Sequence, residues 1–265
     1  VSGLLPREWV AGVQARLHRP PERPRVPLLW RGEPIGSVEP ELVRDVLRRA
    51  PSWQGRWMLR AKAAELGNGA LTPLMAELAA TLRDLGLSHV WRDEQLAVCD
   101  ARGAELGTVE RAVVRPLGVA TRAVHLVGLS PDGRHWVQQR AFSKANDPGL
   151  WDTLMGGMVP SRQSVEEALA RETWEEAGLR MGQLRDVARG GQVVRRSPTP
   201  DGPHGYVVEA IDWYRCTVPE GVVPANQDGE VERFELLASA ELQARLLASG
   251  FTLEASAIYA QALAA

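Results

Sequence analysis

The sequence predicts an α/β (α+β) chain: a small α+β unit over residues 1–115, then a mixed sheet sandwiched between helices over residues 116–265. Three observations carry this. The 265 residues are long for one compact unit and comfortable for two. The hydrophobic pattern resets at Arg115-Pro116-Leu117-Gly118. Beyond that point, strand-like alternation is interrupted by one capped helix and closed by further helices.

Residues 6–18 read as a helix, with Trp9, Val10, Val13 and Leu17 on one face and Pro6 at its start, where a missing N–H costs nothing. The Pro- and Arg-rich residues 19–25 form a linker. Strands are expected over 26–30 and 34–38 about a turn at Arg31-Gly32-Glu33, and Pro40 opens a helix to about residue 49. Residues 51–69 give no clear period, although Trp53 and Trp57 read as core or interdomain packing. A stronger helix runs over 72–85, with Leu74, Met75, Leu78 and Leu82 in phase, and strands over 91–98 and 105–114 flank Asp100-Ala-Arg-Gly103. No catalytic set stands out in this half.

In the second half a strand is expected over 119–128, with a turn at Ser130-Pro-Asp-Gly133 and a partner strand over 135–140. A loop follows over 141–151. Later strands are expected over 183–196, 205–217 and 232–237, with turn-rich residues at 197–204 and a long loop over 219–229. Helices near 240–248 and 254–264 close the pattern.

Between these lies a glycine loop, Gly157-Met-Val-Pro-Ser-Arg-Gln163, and then a helix. Ser164 with Glu167 three residues on forms a capping box, so the helix starts at about Val165, and Gly178 is placed to stop it. At about 100° per residue, Val165, Leu169, Glu172 and Glu176 share a sector, with Ala168 and Glu175 at its edge. An inward face that finishes in carboxylates is unusual, and the last turn is where the helix dipole disfavours negative charge. Converging carboxylates repel unless a cation neutralises them, and hard divalent cations take oxygen ligands of this kind. The plainer reading is a solvated acidic face with Arg171 pairing Glu175 at i,i+4.

Composition is ordinary, with 45% hydrophobic and 24% charged residues and a formal net charge of −2, so no global attraction to nucleic acid or membrane is expected. Basic charge is nearly all Arg; Lys62 and Lys144 are the only lysines. Cys99 and Cys216 lack metal spacing and read as reduced core residues of a cytoplasmic chain. No apolar run resembles a signal peptide or approaches the roughly 20 residues of a membrane span.

The Gly157 loop and its helix resemble the signature of the Nudix hydrolases: Gly, five residues, Glu, seven residues, Arg-Glu, an apolar residue, any residue, Glu-Glu, any residue, Gly, apolar. Gly157, Arg171, Glu172, Glu175, Glu176, Gly178 and Leu179 match, whereas Gln163 replaces the first Glu and Thr173 the apolar residue. A longer resemblance covers nearly the whole chain and is strongest from about 110 to 235. It includes Trp136-Val-Gln-Gln-Arg140, Asp147-Pro-Gly-Leu-Trp-Asp152 and Asn226-Gln-Asp-Gly-Glu-Val231. These segments are similar to a two-domain Nudix subfamily related to the Nudix part of fungal thiamine pyrophosphokinase and to plastid Nudix proteins of plants.

The resemblance implies a Nudix α/β/α sandwich and Mg²⁺- or Mn²⁺-dependent hydrolysis of a diphosphate. The substrate class it implies is thiamine diphosphate or its damaged oxo or oxy analogues, giving the monophosphate. Hydrolysis of nucleoside diphosphate derivatives and a catalytically weak binding protein stay open as alternatives. The resemblance also implies Glu172, Glu175, Glu176 and the Gly157 carbonyl as metal ligands, with Arg171 orienting the carboxylates. Glu175 is the first candidate for the base; Glu230 is the distal competitor and a further metal ligand, with Glu232 behind it.

Arg140 and Lys144 are candidates for a substrate phosphate. Trp151 or Asp152 would take a cationic ring, although packing and turn-capping roles explain both equally well. His125 reads as a core histidine, and Arg195 with Arg196 as a strand-end surface pair. Gln163 is expected to weaken loop support or alter metal affinity without abolishing activity, and Arg162 to change the shape of the loop. The expected partner is a small-molecule diphosphate; a homodimer is left open.

Overall fold

The computed structural model describes residues 5–199 and 204–264. In chain order the elements are α1 (Arg7–Leu17), β1 (Val26–Trp30), β2 (Glu33–Val38), α2 (Pro40–Arg49), β3 (Trp57–Leu59), β4 (Ala64–Leu66), α3 (Leu71–Asp84), β5 (Gln95–Cys99) and β6 (Glu105–Glu110). They continue with β7 (Thr121–Leu129), β8 (His135–Arg140), β9 (Trp151–Asp152), β10 (Met155–Met158), α4 (Val165–Ala177), β11 (Arg185–Pro198), β12 (Tyr206–Thr217), β13 (Val231–Leu237), α5 (Ser239–Leu247) and α6 (Leu253–Ala262).

The first sheet has the order β2-β1-β4-β3, and β5 pairs with β6 as a separate ribbon. The unassigned stretch 51–69 resolves here. Trp53 and Trp57 meet edge to face at 6.4 Å, both fully buried, and the Trp53 indole donates to Thr81 Oγ1 at 2.9 Å. Two large rings fill a core that two short strands could not cover alone. The expected strands over 91–98 and 105–114 are shorter than their apolar patterns, because a tight turn at residues 111–113 ends the second one.

The second sheet has the order β11-β12-β7-β8-β13, with β10 on β7 and β9 on β8. β12 runs parallel to β7 while the β11–β12 and β7–β8 pairs are antiparallel, so the sheet is mixed, as the sequence predicts. β7 is central and buried on both faces over residues 123–128, so it lacks the alternation of burial expected of a strand with one open face. On one face α4 packs Val165, Ala168 and Leu169 against Val124, Leu126 and Met155. On the other, α5 and α6 cover Ala123, Val137 and Ile211.

Two features tie residues before 116 to this sheet. Helix α1 packs Val13 and Leu17 into the cluster formed with α6 and β11, apart from the core of the first sheet. Met158 of β10 in turn joins the cluster of Trp53, Trp57 and Leu78. The strand that opens the glycine loop is thus anchored in two cores, through Met158 in this one and through Met155 and Val159 in the one beneath α4. Among the described residues no helix is long and apolar enough to cross a membrane. The turn-rich 197–204 stretch falls partly outside the described residues.

Candidate active site

The glycine loop is more ordered than its composition suggests. Residues Met155–Met158 form strand β10, in register with Ala123–Leu126 of β7. A side chain at Gly157 would place its Cβ 2.1 Å from the Glu172 carboxyl carbon, so only glycine lets that carboxylate lie against the main chain. The loop then turns through Arg162, whose φ of 67° lies in the left-handed region. Ser164 accepts from the Glu167 N–H at 3.1 Å while Glu167 accepts from the Ser164 N–H at 2.7 Å, closing the capping box. At the far end Gly178 has φ 65° and stops α4.

Both departures from the signature are absorbed locally. Thr173 is buried at the apolar position and donates its hydroxyl to the Leu169 carbonyl at 2.6 Å. Gln163 accepts from Arg171 Nε at 3.2 Å, so an amide oxygen holds the arginine. Arg171 also donates to Glu175 at 2.6 Å, Glu172 at 2.9 Å and the Met158 carbonyl at 3.3 Å. It therefore orients two carboxylates and the strand of the glycine loop together.

A cavity of about 450 Å³ opens beside this helix, lined by Gly156, Gly157, Glu172, Glu176, Arg140, Lys144, Asp152 and Glu230 among others. Glu176 is buried and accepts from Gln138 Nε2 at 2.8 Å and the Gly156 N–H at 3.0 Å, with Lys144 Nζ 3.7 Å away. Burial raises its carboxyl above the usual carboxylate range despite Lys144, Gly156 and Gln138. Burial likewise pushes Glu172 up to about 7, with Arg171 opposing the shift and Glu176 adding to it. Two carboxylates that resist ionisation together are a place where an added cation is favoured.

Lys144 bridges Glu176 and Glu230. Burial raises the Glu230 carboxyl, but Lys144, then Arg111 and Arg92, more than offset this and leave it below the usual carboxylate range. Arg140 reaches Asp152 at 3.4 Å and the Asn146 carbonyl at 3.0 Å. Asp152 also accepts from the Thr153 N–H at 2.8 Å, which accounts for its turn role.

Arg171, Glu175, Trp151 and Glu232 fall outside the cavity. Glu175, next to Glu176, does not line it; its side chain is 41% exposed and held by Arg171. The helix turns about 100° between neighbours, so the Glu-Glu pair cannot point one way. Trp151 is buried in the α5–α6 cluster and carries the guanidiniums of Arg245 and Arg233 on its ring at 4.7 and 5.4 Å, so it offers no face to a substrate ring. Glu232 is exposed on β13.

Other residues enter the site that the sequence pattern left aside. His125, buried and bonded to Thr153 Oγ1 at 2.9 Å, nevertheless lines the cavity. Arg195 lines it too, paired with Glu254, whereas Arg196 is exposed; strand alternation separates the two neighbours. Gln138 contacts Glu176 directly, and the inward phase of β8 was the available signal. Arg16, Arg19, Arg92, Arg111 and Arg115 bring the region before residue 116 into the cavity wall.

The donors that would hold a cation are the Glu172 and Glu176 carboxylates and the Gly157 main chain. No three His, Cys, Asp or Glu side chains are gathered as a ready set among the described residues. The fit rests instead on the carboxylate seated against a glycine that a Cβ would displace, and on oxygen-only donors that suit a hard cation.

The NUDIX domain model matches residues 119–255, half of the chain, and covers β7, β10 and α4 with the carboxylates just described. The chain belongs to the Nudix family. Among curated relatives, Arabidopsis thaliana "Nudix hydrolase 20, chloroplastic" is 29% identical over 184 residues, covering 68% of this chain and 48% of that protein. "Nudix hydrolase 24, chloroplastic" of the same plant is 33% identical over 138 residues, covering 51% of this chain and 37% of that protein. This Nudix chain therefore spans about half the length, or less, of the curated relatives it matches here. A crystal structure of DR0079 from Deinococcus radiodurans aligns at a TM-score of 0.49 with 22% identity, covering 64% of this chain and 99% of that one.

Proposed function

We propose that this Nudix protein is a divalent-cation-dependent hydrolase of the P–O–P bond in a small-molecule diphosphate. The observation that carries the reading is one cavity holding Glu172 and Glu176 against Gly157 together with Lys144 and Arg140. Carboxylates draw in the cation, and the basic side chains receive the phosphate oxygens. A bound Mg²⁺ or Mn²⁺ would neutralise developing phosphate charge and lower the pKa of a bound water. Glu172, Glu176 and the Gly157 carbonyl would hold it. Arg171 keeps Glu172 and the strand of the glycine loop in place. Glu230 lines the cavity and Glu175 does not, which favours Glu230 over Glu175 as the group that takes the proton from the attacking water. Glu175 serves as the anchor of Arg171.

The substrate reading offered first is thiamine diphosphate or its oxo or oxy analogues, cleaved to the monophosphate and phosphate. It is supported by the sequence resemblance to the thiamine-linked subfamily. The inward burial of Trp151 removes the ring platform that this reading used; nucleoside diphosphate derivatives are the second reading, supported by membership of the Nudix family. Phosphate and monophosphate release from thiamine diphosphate, oxothiamine diphosphate, ADP and ADP-ribose with Mg²⁺ or Mn²⁺ separates the two. Turnover of nucleotides alone would sink the thiamine assignment. No turnover of any diphosphate would leave a binding protein on a Nudix scaffold.

A further inference from the structure

The main cavity has a side cavity of about 70 Å³ that shares the walls Arg92, Arg111, Arg115, Ala145, Asn146 and Met158 with it. Through Met158 of β10 and Ala145 and Asn146 of the loop that carries Lys144, the side cavity adjoins the main one. Its lining contains three arginines and no carboxylate. Two of them are ion-paired. Arg111 binds Glu94 at 2.6 Å, and Arg115 binds Glu209 at 2.9 Å. Arg92 has no ion-pair partner among the described residues, and its main-chain N–H is tied to Glu110 at 3.0 Å, which fixes where the side chain starts.

Arginine presents several donors in a planar fork and stays charged, which suits a phosphoryl group with exposed oxygens. A carboxylate-free pocket of this kind favours the end of a molecule that carries the most negative charge. In a diphosphate monoester that end is the terminal phosphoryl group, a blunt dianion with no further substituent. A diphosphate esterified at both ends has no such group, and its second organic arm would meet guanidiniums instead. The main cavity supplies apolar surface for an organic arm elsewhere, through Leu150, Phe251 and Leu253.

We propose that Arg92 and Arg111, which flank the β5–β6 ribbon and lie outside the matched Nudix segment, form the subsite for the terminal phosphoryl group of the substrate. The inference rests on the diphosphatase reading above and adds its polarity. In the overall reaction water adds across the bridging P–O–P bond. Its oxygen joins one phosphorus, the bridging oxygen leaves with the other, and the proton released is shared among Glu230 and the product phosphates. With the terminal group seated at Arg92 and Arg111, the products are an organic monophosphate and inorganic phosphate.

The test compares the full-length wild type with Arg92→Ala, Arg111→Ala and Arg111→Lys. ADP serves as a diphosphate monoester and ADP-ribose as a doubly esterified diphosphate, both with Mg²⁺. The wild type is expected to prefer ADP. Arg92→Ala should raise KM for ADP about tenfold or more, at least fivefold beyond any change with ADP-ribose, with kcat altered much less. Arg111→Lys should recover part of the loss in Arg111→Ala, because charge returns without the fork. Equal losses on both compounds, or a kcat effect without a KM effect, would overturn the subsite. Equilibrium binding of α,β-methylene-ADP, which cannot be split at its bridge, keeps the test independent of turnover. If no diphosphate is hydrolysed, the activity reading fails; weaker binding of this analogue to Arg92→Ala still supports the subsite. Unchanged binding rejects the subsite whether or not the enzyme turns over. Arg92 is exposed and carries no structural ion pair, and a thermal melt verifies that its variant is folded.

Discussion

The two ends of α4 are held by different means. Its first turn is closed by Ser164 and Glu167, three residues apart, in an exposed and self-contained box. Its last turn buries Glu176, and every group that satisfies this carboxylate comes from elsewhere: Gln138 on β8, the Gly156 N–H on β10 and Lys144 in the loop after β8. The first end is local chemistry and needs nothing but the helix. The second end is high in energy by itself and is tolerable only because three distant elements converge on it. The part that any helix could have carries structure, and the part that only this fold can stabilise carries the candidate chemistry.

The largest break of that contrast is Gly157→Ala. Its Cβ would sit where the Glu172 carboxylate lies, so the carboxylate must move and kcat should fall about 100-fold or more, with a stability cost of about 1–3 kcal/mol from overpacking. Glu176→Gln should lose activity on the same scale with a folded melt. Retained turnover in either variant, measured by phosphate release, would remove α4 from the mechanism.

Next in size is a tertiary pair away from α4. Glu209 is buried; burial raises its carboxyl, but Arg115 and Thr121 more than offset this and hold it below the usual range. A depressed folded pKa adds stability above the ordinary Glu value, and this is lost as pH falls through the folded value. Arg115→Met leaves the carboxylate unpaired and should cost about 3–5 kcal/mol at pH 7. Its Glu209 then prefers to be protonated, so the gap between variant and wild type should narrow as pH falls from 7 toward 4. Urea midpoints at several pH values read this directly; a gap that is constant with pH contradicts the pairing.

Gln138→Leu removes one donor from Glu176 and should destabilise by about 1–3 kcal/mol while changing metal dependence of the rate. The smallest effect belongs to the local end. Ser164→Ala should cost about 1 kcal/mol and lower Tm by about 2–4 °C, with kcat close to wild type. A large kcat loss there would erase the distinction between the two ends.

Much of this molecule was readable in one dimension. The capping box, the Gly178 stop and the apolar seam of α4 depend on residues within a turn or two, and the structure shows them at the expected positions. The strand at β7 was legible, but its expected alternation was not realised: residues 123–128 are buried throughout because helices cover both faces of the sheet. Residues 51–69 were not readable, because two short strands take their order from Trp53 and Trp57 rather than from a period. The strand character of Met155–Met158 was hidden by its glycines, which serve a close approach to Glu172 and His125 instead of a turn.

By itself the sequence determined the fold class, the limits of α4 and the cluster of glutamates at its end, since these rest on local periodicity and spacing. Only the tertiary structure decided that Glu176 and Glu172 line the cavity while Glu175 and Trp151 do not, and that Arg92, Arg111 and Arg195 join its wall. Which neighbours enter a cavity depends on helix phase, strand face and packing between elements distant in the chain, and no short-range pattern encodes those.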